Sequence, residues 1–436
     1  MLSLVSTPRI RACYSMPAKK IAKREVVFYC GAEALRTSAS GARMRVVSNL
    51  RAYAALGVRL RLVLFSGSTA AELVIPELGD AVTEHVTTVV SEEGVAGKVL
   101  YRLGLAHPAA VRYMFPMAAD VYGAARRYHR DHPEAIHHFE GEDVAVAVLL
   151  GQVPRSIWSF HDMPSAVSRA SAEIGQQLEG REIRRSELRE VRFMRNLERR
   201  LARRAELILT ISELDCAVLR GWGVDNVDTL PFSVEYEPAG TLYSPGSGRL
   251  RLLHLGRIAH MPSYRSLEFL MEEVLPRLDP STRRQVELLV VGTATGSDPR
   301  TLRIRQLAAQ YPDVVQLCGY VRDLATLYGE VDAQVVASTQ ATGARTRVVE
   351  SFAHGVPVIS TSIAAAGIRG LRPGENILIA DKPDEWADLI SRLVSERSGL
   401  ADVGRHGRAA YDREHSPRVV ASALRAAVER HMSIAL

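Results

Sequence analysis

Twice along this 436-residue chain, short β-branched apolar runs alternate with amphipathic helical segments, and a Pro/Gly/Ser-rich stretch separates the two series. Alternation of that kind builds βαβ units, so the pattern predicts two doubly wound α/β lobes. In the first series, residues 26–30, 60–65, 135–139, 156–160 and 207–211 read as strands, with Val46, Val47, Leu50 and Ala54 as a helical stripe after the first. In the second, strands are expected at 252–255, 286–291, 314–317, 333–337 and 356–360. The apolar run Val144 to Leu150 is short and suits a buried strand. One hydrophobic core rarely serves more than about 250–300 residues, which also favours two domains. The expected division is a disordered basic tail at 1–24, a first domain at 25–232, a linker at 233–249, a second domain at 250–412 and a closing helical segment at 413–436.

The net charge of +6 is unevenly placed. Between Arg181 and Arg204 there are ten arginines against four glutamates, an excess of six, equal to that of the whole chain. Leu188, Val191, Met194, Leu197 and Leu201 step through this segment by threes and fours, so it reads as a helix with an apolar inner face and arginines outside. Its sign points to an acidic partner. Nucleic acid is not expected, because Phe193 is the lone aromatic ring there and base stacking needs several. The tail carries Arg9, Arg11, Lys19, Lys20, Lys23 and Arg24 without an acid or an amphipathic face, the pattern of an extension upstream of a start at Met16. Cys13, Cys30, Cys216 and Cys318 form no CxxC pair, which argues against a zinc site or a disulfide framework and suits a reducing cytoplasmic setting. No apolar run approaches the eighteen or so residues of a membrane span.

Motifs for nucleotide hydrolysis (GxxxxGK[ST]), dinucleotide binding (GxGxxG), zinc hydrolysis (HExxH), serine hydrolysis (GxSxG) and metal-bridged sugar transfer (DxD) are all missing. What remains is a set of residues at strand ends, where open α/β sheets collect ligands. After the strand 333–337 comes a loop with Gly343, Arg345 and Arg347 leading into a helix, an arrangement suited to a diphosphate, with Glu350 placed to accept ribose hydroxyls. Read alone, Glu350 and His354 are equally well an i,i+4 surface pair and the arginines solvated. Arg257 follows the strand 252–255 and His161 follows 156–160; each is a phosphate or hydroxyl contact, or a structural residue. The small-residue loop from Gly31 to Gly41, with Ser38, Ala39 and Ser40, lets a substrate approach backbone.

Taken together and in order, these motifs resemble the retaining GT-B glycosyltransferases of the group-1 family (family four). The resemblance rests on GxxxR (Gly41, Arg45), His161, the ELILTIS segment ending at Ser212, the Gly256-Arg257 pair, and Glu350-Ser351-Phe352-Ala353-His354-Gly355-Val356-Pro357-Val358. It implies two Rossmann-like domains facing a cleft, with the helix Pro417 to Met432 returning to the first. It also implies a nucleotide-sugar donor, UDP- or GDP-linked, held by the second domain, and a saccharide, lipid-linked or small-molecule acceptor held by the first. Transfer would proceed with retention and without metal or other cofactor. Glu350 would hold the ribose, Arg257, Arg345, Arg347 and Gly343 the diphosphate, and His161 the transferred sugar; Gly41 and Arg45 would form the acceptor-side loop. The chain departs from the family where the first glutamate of EX7E falls on Thr342 and a frequent lysine falls on Ser263. A sub-branch carrying YxPN and GTRxK resembles His260-Met261-Pro262-Ser263 and Gly343-Ala344-Arg345-Thr346-Arg347, which would let Arg347 supply the cation lost elsewhere, with Ser263 in the donor-binding set. A sugar-nucleotide epimerase and a non-catalytic binding protein are the alternatives. Many members act on lipid-linked acceptors, so Arg181 to Arg204 is expected to meet an anionic membrane surface on its inner face.

Overall fold

The computed structural model describes residues 24–32, 35, 41–66, 82–87, 95–179, 182–234, 246, 248–293, 298–338 and 345–436. The tail, the linker from 235 to 245, and most of the Gly31 to Gly41 loop therefore lie outside the described residues, as do Thr342 and Gly343.

Seven strands form the first sheet: β1 (Glu25–Gly31), β2 (Arg59–Ser66), β3 (Val82–Thr87), β4 (Ile136–Glu140), β5 (Ser156–Phe160), β6 (Leu207–Thr210) and β7 (Val227–Thr229). Their order is β3-β2-β1-β4-β5-β6-β7, parallel throughout. The second sheet has β8 (Leu250–Leu255), β9 (Val286–Val291), β10 (Val315–Gly319), β11 (Ala333–Val336), β12 (Val358–Ser360) and β13 (Leu378–Ile379), in the order β10-β9-β8-β11-β12-β13. Both orders reverse beside the first strand, at β1/β4 and β8/β11, and a crevice opens outside the strand ends at such a point. The helices that matter below are α1 (Gly41–Ala55), α2 (Val95–Arg102), α3 (Pro164–Glu179), α4 (Arg185–Ala202), α5 (Glu213–Gly221), α6 (Met261–Glu268), α7 (Thr346–His354) and α8 (Pro417–Met432).

Parallel strands covered on both faces need continuous apolar runs, and Val26 to Cys30 of β1 are all fully buried. One face of the first sheet packs Val26 and Phe28 against Val46, Leu50 and Tyr53 of α1 and Val420, Leu424 and Val428 of α8. The other packs Val27 and Tyr29 with Phe139, Phe193 and Leu197. The chain thus ends on the lobe in which it began. A smaller cluster joins the lobes, with Met44, Ile211 and Phe232 from the first and Val348, Phe352, Ile368 and Tyr411 from the second.

Three expectations are corrected. Val144 to Leu150 is no strand: the helix Glu142–Ala145 and a 3-10 turn, Val146–Leu149, occupy it, fully buried. β4 ends at Glu140 and β5 begins at Ser156, so the run must serve as the crossover, and a short all-apolar run reads alike as buried strand or buried helix. On α4 the buried face is Val191, Phe193, Leu197, Glu198 and Leu201, whereas Leu188 is 55% exposed. On α1, Tyr53 is buried and Ala54 is exposed. The strands not foreseen, β3, β7 and β13, close sheet edges, where a strand needs only a short or mixed sequence such as VDT.

Because Leu424 is fully buried against β1 and α1, Leu424→Ala should cost about 2–5 kcal/mol in urea unfolding. Arg418→Ala, on the exposed side of the same helix, should stay within about 0.5 kcal/mol of the parent chain.

Candidate active site in the cleft

On the second lobe the site begins with two glycines. Gly256 at the tip of β8 has φ 147° and Gly292 at the tip of β9 has φ 151°. A Cβ on Gly292 would lie 2.0 Å from the Gly256 carbonyl oxygen, and one on Gly256 would lie 2.3 Å from Nη2 of Arg347. Only glycine permits both approaches. Arg347, in the first turn of α7, donates to Oγ of the fully buried Ser263 at 2.6 Å. The structure thus brings together two of the residues expected to bind the donor. Burial, with Arg345 alongside, pushes the Arg347 guanidinium down to about 10, so it stays charged at neutral pH. Arg345 reaches Ser338 Oγ at 3.4 Å, and Arg257 is exposed at the β8 tip.

His260 precedes α6. Burial pushes it down to about 4, helped by the positive charges of Arg347, Arg257, Arg345 and Arg300. Four guanidiniums therefore converge on one strand-end region. Glu350 is 6% exposed on α7, and the His354 ring stacks on Tyr328 with centroids 4.4 Å apart. The two are not a solvated surface pair.

From the first lobe, Gly41 opens α1 against the start of α7: a Cβ there would sit 3.2 Å from Thr346 Cγ2. Two helix N-termini, each a locus of partial positive charge, meet across the cleft. Arg45 is 1% exposed, donates to the Leu230 carbonyl at 2.6 Å and lies 3.8 Å from Glu140, so it is built into the first lobe beneath the cleft. Glu140, the last residue of β4, was not singled out from sequence although it follows the strand predicted at 135–139. It accepts from Asn49 Nδ2 at 2.6 Å, from His138 Nε2 at 3.3 Å and from Ser159 Oγ, and its Oε1 lies 3.6 Å from His161 Nε2. Burial alone would push this carboxyl up, but the His138 hydrogen bond, Arg45 and His161 hold it down at about 2. His161, after β5, is lowered by burial, with Glu140 opposing. Its neighbour Asp162 is raised by burial and lowered by Arg345 of the other lobe.

The sequence of residues 249–396 matches the family described as Glycosyl transferases group 1, and no curated protein matches the chain. Among solved structures, sucrose-phosphate synthase from Thermosynechococcus elongatus superposes with a TM-score of 0.65 at 17% identity, covering 94% of this chain and 100% of that one. The Anabaena protein HepE, solved with UDP and glucose, gives 0.62 at 15% identity and covers 94% and 100%. A glycosyltransferase from Rickettsia africae gives 0.60 at 14%, covering 94% and 99%. The chain has the two-lobed GT-B fold of these structures, and its second lobe carries the match to the group 1 glycosyltransferase model. Two Rossmann-like lobes, the second carrying the family match, therefore place the four arginines on the group 1 domain and His161 and Glu140 opposite.

Glu140→Gln would leave Arg45 buried without its counter-charge, and breaking a buried pair costs about 3–5 kcal/mol. Glu140 titrates at about 2 in the fold against 4.5 for a free side chain. Its contribution is thus complete above about pH 4.5 and lost as pH falls toward 2. The stability gap between parent and variant should be large at pH 7 and smaller at pH 3 in urea unfolding.

Proposed function

We propose that the protein is a glycosyltransferase that moves a sugar from a nucleoside-diphosphate donor to an acceptor hydroxyl with retention of configuration. The observation that carries this reading is the convergence of Arg257, Arg345 and Arg347 with the start of α7 at the β8 tip, a site built for a polyanion. HepE was solved with UDP and with UDP-glucose, which supports a uridine donor. Glu350 then holds the ribose and the arginines hold the diphosphate. In the transfer the anomeric carbon's bond to phosphate oxygen breaks as the acceptor oxygen bonds to the same face, and the acceptor proton passes to the departing phosphate. Arg345 and Arg347 stabilise the negative charge that grows on that leaving group, worth about 3–4 kcal/mol for one well-aimed donor. No metal or other cofactor takes part. A saccharide or lipid-linked acceptor enters from the first lobe.

The test is a thermal-shift panel with UDP, GDP, ADP, dTDP and CMP. A ligand at about a hundred times its Kd should stabilise the fold by roughly 2.7 kcal/mol. A shift with one diphosphate that Glu350→Ala and Arg347→Ala abolish supports the reading; no shift with any of them sinks it. Product anomeric configuration by NMR tests retention.

A second element is peripheral attachment to an anionic bilayer through the segment Arg181 to Arg204. Beside α4, helix α2 exposes Val95 (79%), Val99 (49%) and, just beyond it, Leu103 (56%), while Asn196 of α4 holds the Gly104 carbonyl at 2.7 Å. Apolar side chains flanked by arginines are what an interfacial contact needs. Among the described residues no helix is long and apolar enough to cross a membrane. Flotation with anionic vesicles should recover the protein, with neutral vesicles much less, and Val95→Asp/Leu103→Asp should reduce recovery; equal recovery on both vesicle types refutes it.

A further inference from the structure

Away from the donor arginines, the first lobe carries a cavity of about 440 Å³ between α3, α4 and α5, flanked by Ala366 of the second lobe. Arg169 of α3 and Arg195 and Arg199 of α4 line it. Among the described residues none of the three forms a salt bridge, and the Arg199 guanidinium lies 5.2 Å from the centroid of the Trp222 ring. Facing them is Asp215, 9% exposed, whose Oδ2 has no hydrogen-bond partner among the described residues. The other buried acid nearby, Glu198, is already satisfied by the backbone N–H and hydroxyl of Ser165 at 2.5 and 2.6 Å. Leu214 (48% exposed) and Val218 (45%) form an apolar rim.

Three exposed guanidiniums without a salt bridge among the described residues, two of them near Glu198, suit an anion with several acceptor oxygens. An orphaned buried carboxyl calls for a hydroxyl, since an unmade hydrogen bond there costs about 1–3 kcal/mol. The rim and the indole call for an apolar neighbour. We propose that this cavity binds a phosphorylated amphiphile, with the phosphate on Arg169, Arg195 and Arg199, a hydroxyl on Asp215 and the apolar chain along Leu214, Val218 and Trp222. Met163 lines the cavity and His161 is two residues before it, at most about 7 Å of backbone away. A ligand seated here extends toward the cleft, which makes it an acceptor subsite; that last step rests on the glycosyl-transfer reading. Burial, with Asp162 and Glu198 adding, pushes Asp215 up to about 7, so at neutral pH it both donates and accepts.

The full-length protein supplies its own probe, because Trp158 and Trp386 are buried and Trp222 alone of the three tryptophans borders the cavity. Octyl phosphate, below its micelle concentration, should change the fluorescence saturably, and the change should vanish in Trp222→Phe. Affinity should fall at least tenfold in Arg195→Gln/Arg199→Gln, tenfold for inorganic phosphate relative to octyl phosphate, and octyl glucoside should give no saturable change. Equal affinity for inorganic phosphate assigns the site to free phosphate and overturns the amphiphile. Unchanged binding by the double variant, or no saturable response at all, overturns the site. UDP binding by the same double variant should match the parent, so failure here is separable from failure of the donor reading.

Discussion

Arg347 passes through the space that a side chain at position 256 would fill, and the donor-side geometry follows from that. The contact needs Gly256 without a Cβ, and Gly256 in turn packs its carbonyl against Gly292, so the tips of β8 and β9 and the first turn of α7 lock together. A guanidinium confined there, hydrogen-bonded to Ser263 and beside Arg345, is a partly buried cation relieved in part by Tyr328 and Glu350. Such a group lowers stability in the empty protein, because its desolvation is incompletely offset. On the proposed function, a bound diphosphate would offset part of that deficit.

The first lobe gathers carboxyls whose ionisation burial weakens. Burial raises Glu142 to about 7, Asp143 to about 6 and Asp215 to about 7, and all three belong to segments that follow β4 or β6. Asp162 feels Arg345 across the cleft, and Arg369 of the second lobe lies 3.4 Å from Glu213 of the first. Apolar contacts do the holding: the shared cluster around Phe232 and Phe352, and α8 on the first sheet. The chain crosses between the lobes a second time before α8, and there the His415 ring lies 3.3 Å from the carbonyls of both Phe232 and Arg369.

The fold was legible because parallel strands buried on both faces must be apolar without interruption, and β5 and β9 match their expected bounds to the residue. It failed where that rule lapses, at the edge strands and in the Val144 to Leu150 crossover, whose burial hides any period. At the β8 tip, Arg345, Arg347 and Glu350 could be singled out because a strand end, a helix start and their charges are local in sequence, whereas Ser263, 84 residues away, was named only through the family resemblance. The Glu140 network was not, since Asn49, His138 and Ser159 reach it from three different elements and only the register of β1, β4 and β5 brings them together. Arg45 shows the converse: the family resemblance set it with Gly41 in an acceptor-side loop, but both residues lie on α1, and the arginine turns inward to Glu140 and the Leu230 carbonyl.

That network bears on what His161 can do. Burial keeps the imidazole neutral at pH 7, so one ring nitrogen carries hydrogen and the other a lone pair. At 3.6 Å from Nε2, the ionised Glu140 makes no hydrogen bond, yet its charge favours the tautomer with the proton on Nε2. Nδ1 is then the acceptor, available to a hydroxyl entering the cleft. A cationic His161 would add to the positive charge already gathered on the opposite lobe and repel an oxocarbenium-like centre between them. A neutral imidazole held by a buried carboxylate can instead take a sugar hydroxyl without opposing the charge that develops beside it. On the proposed function, the buried Glu140 would act through the tautomer of His161, giving the first lobe an acceptor that faces the arginines of the second.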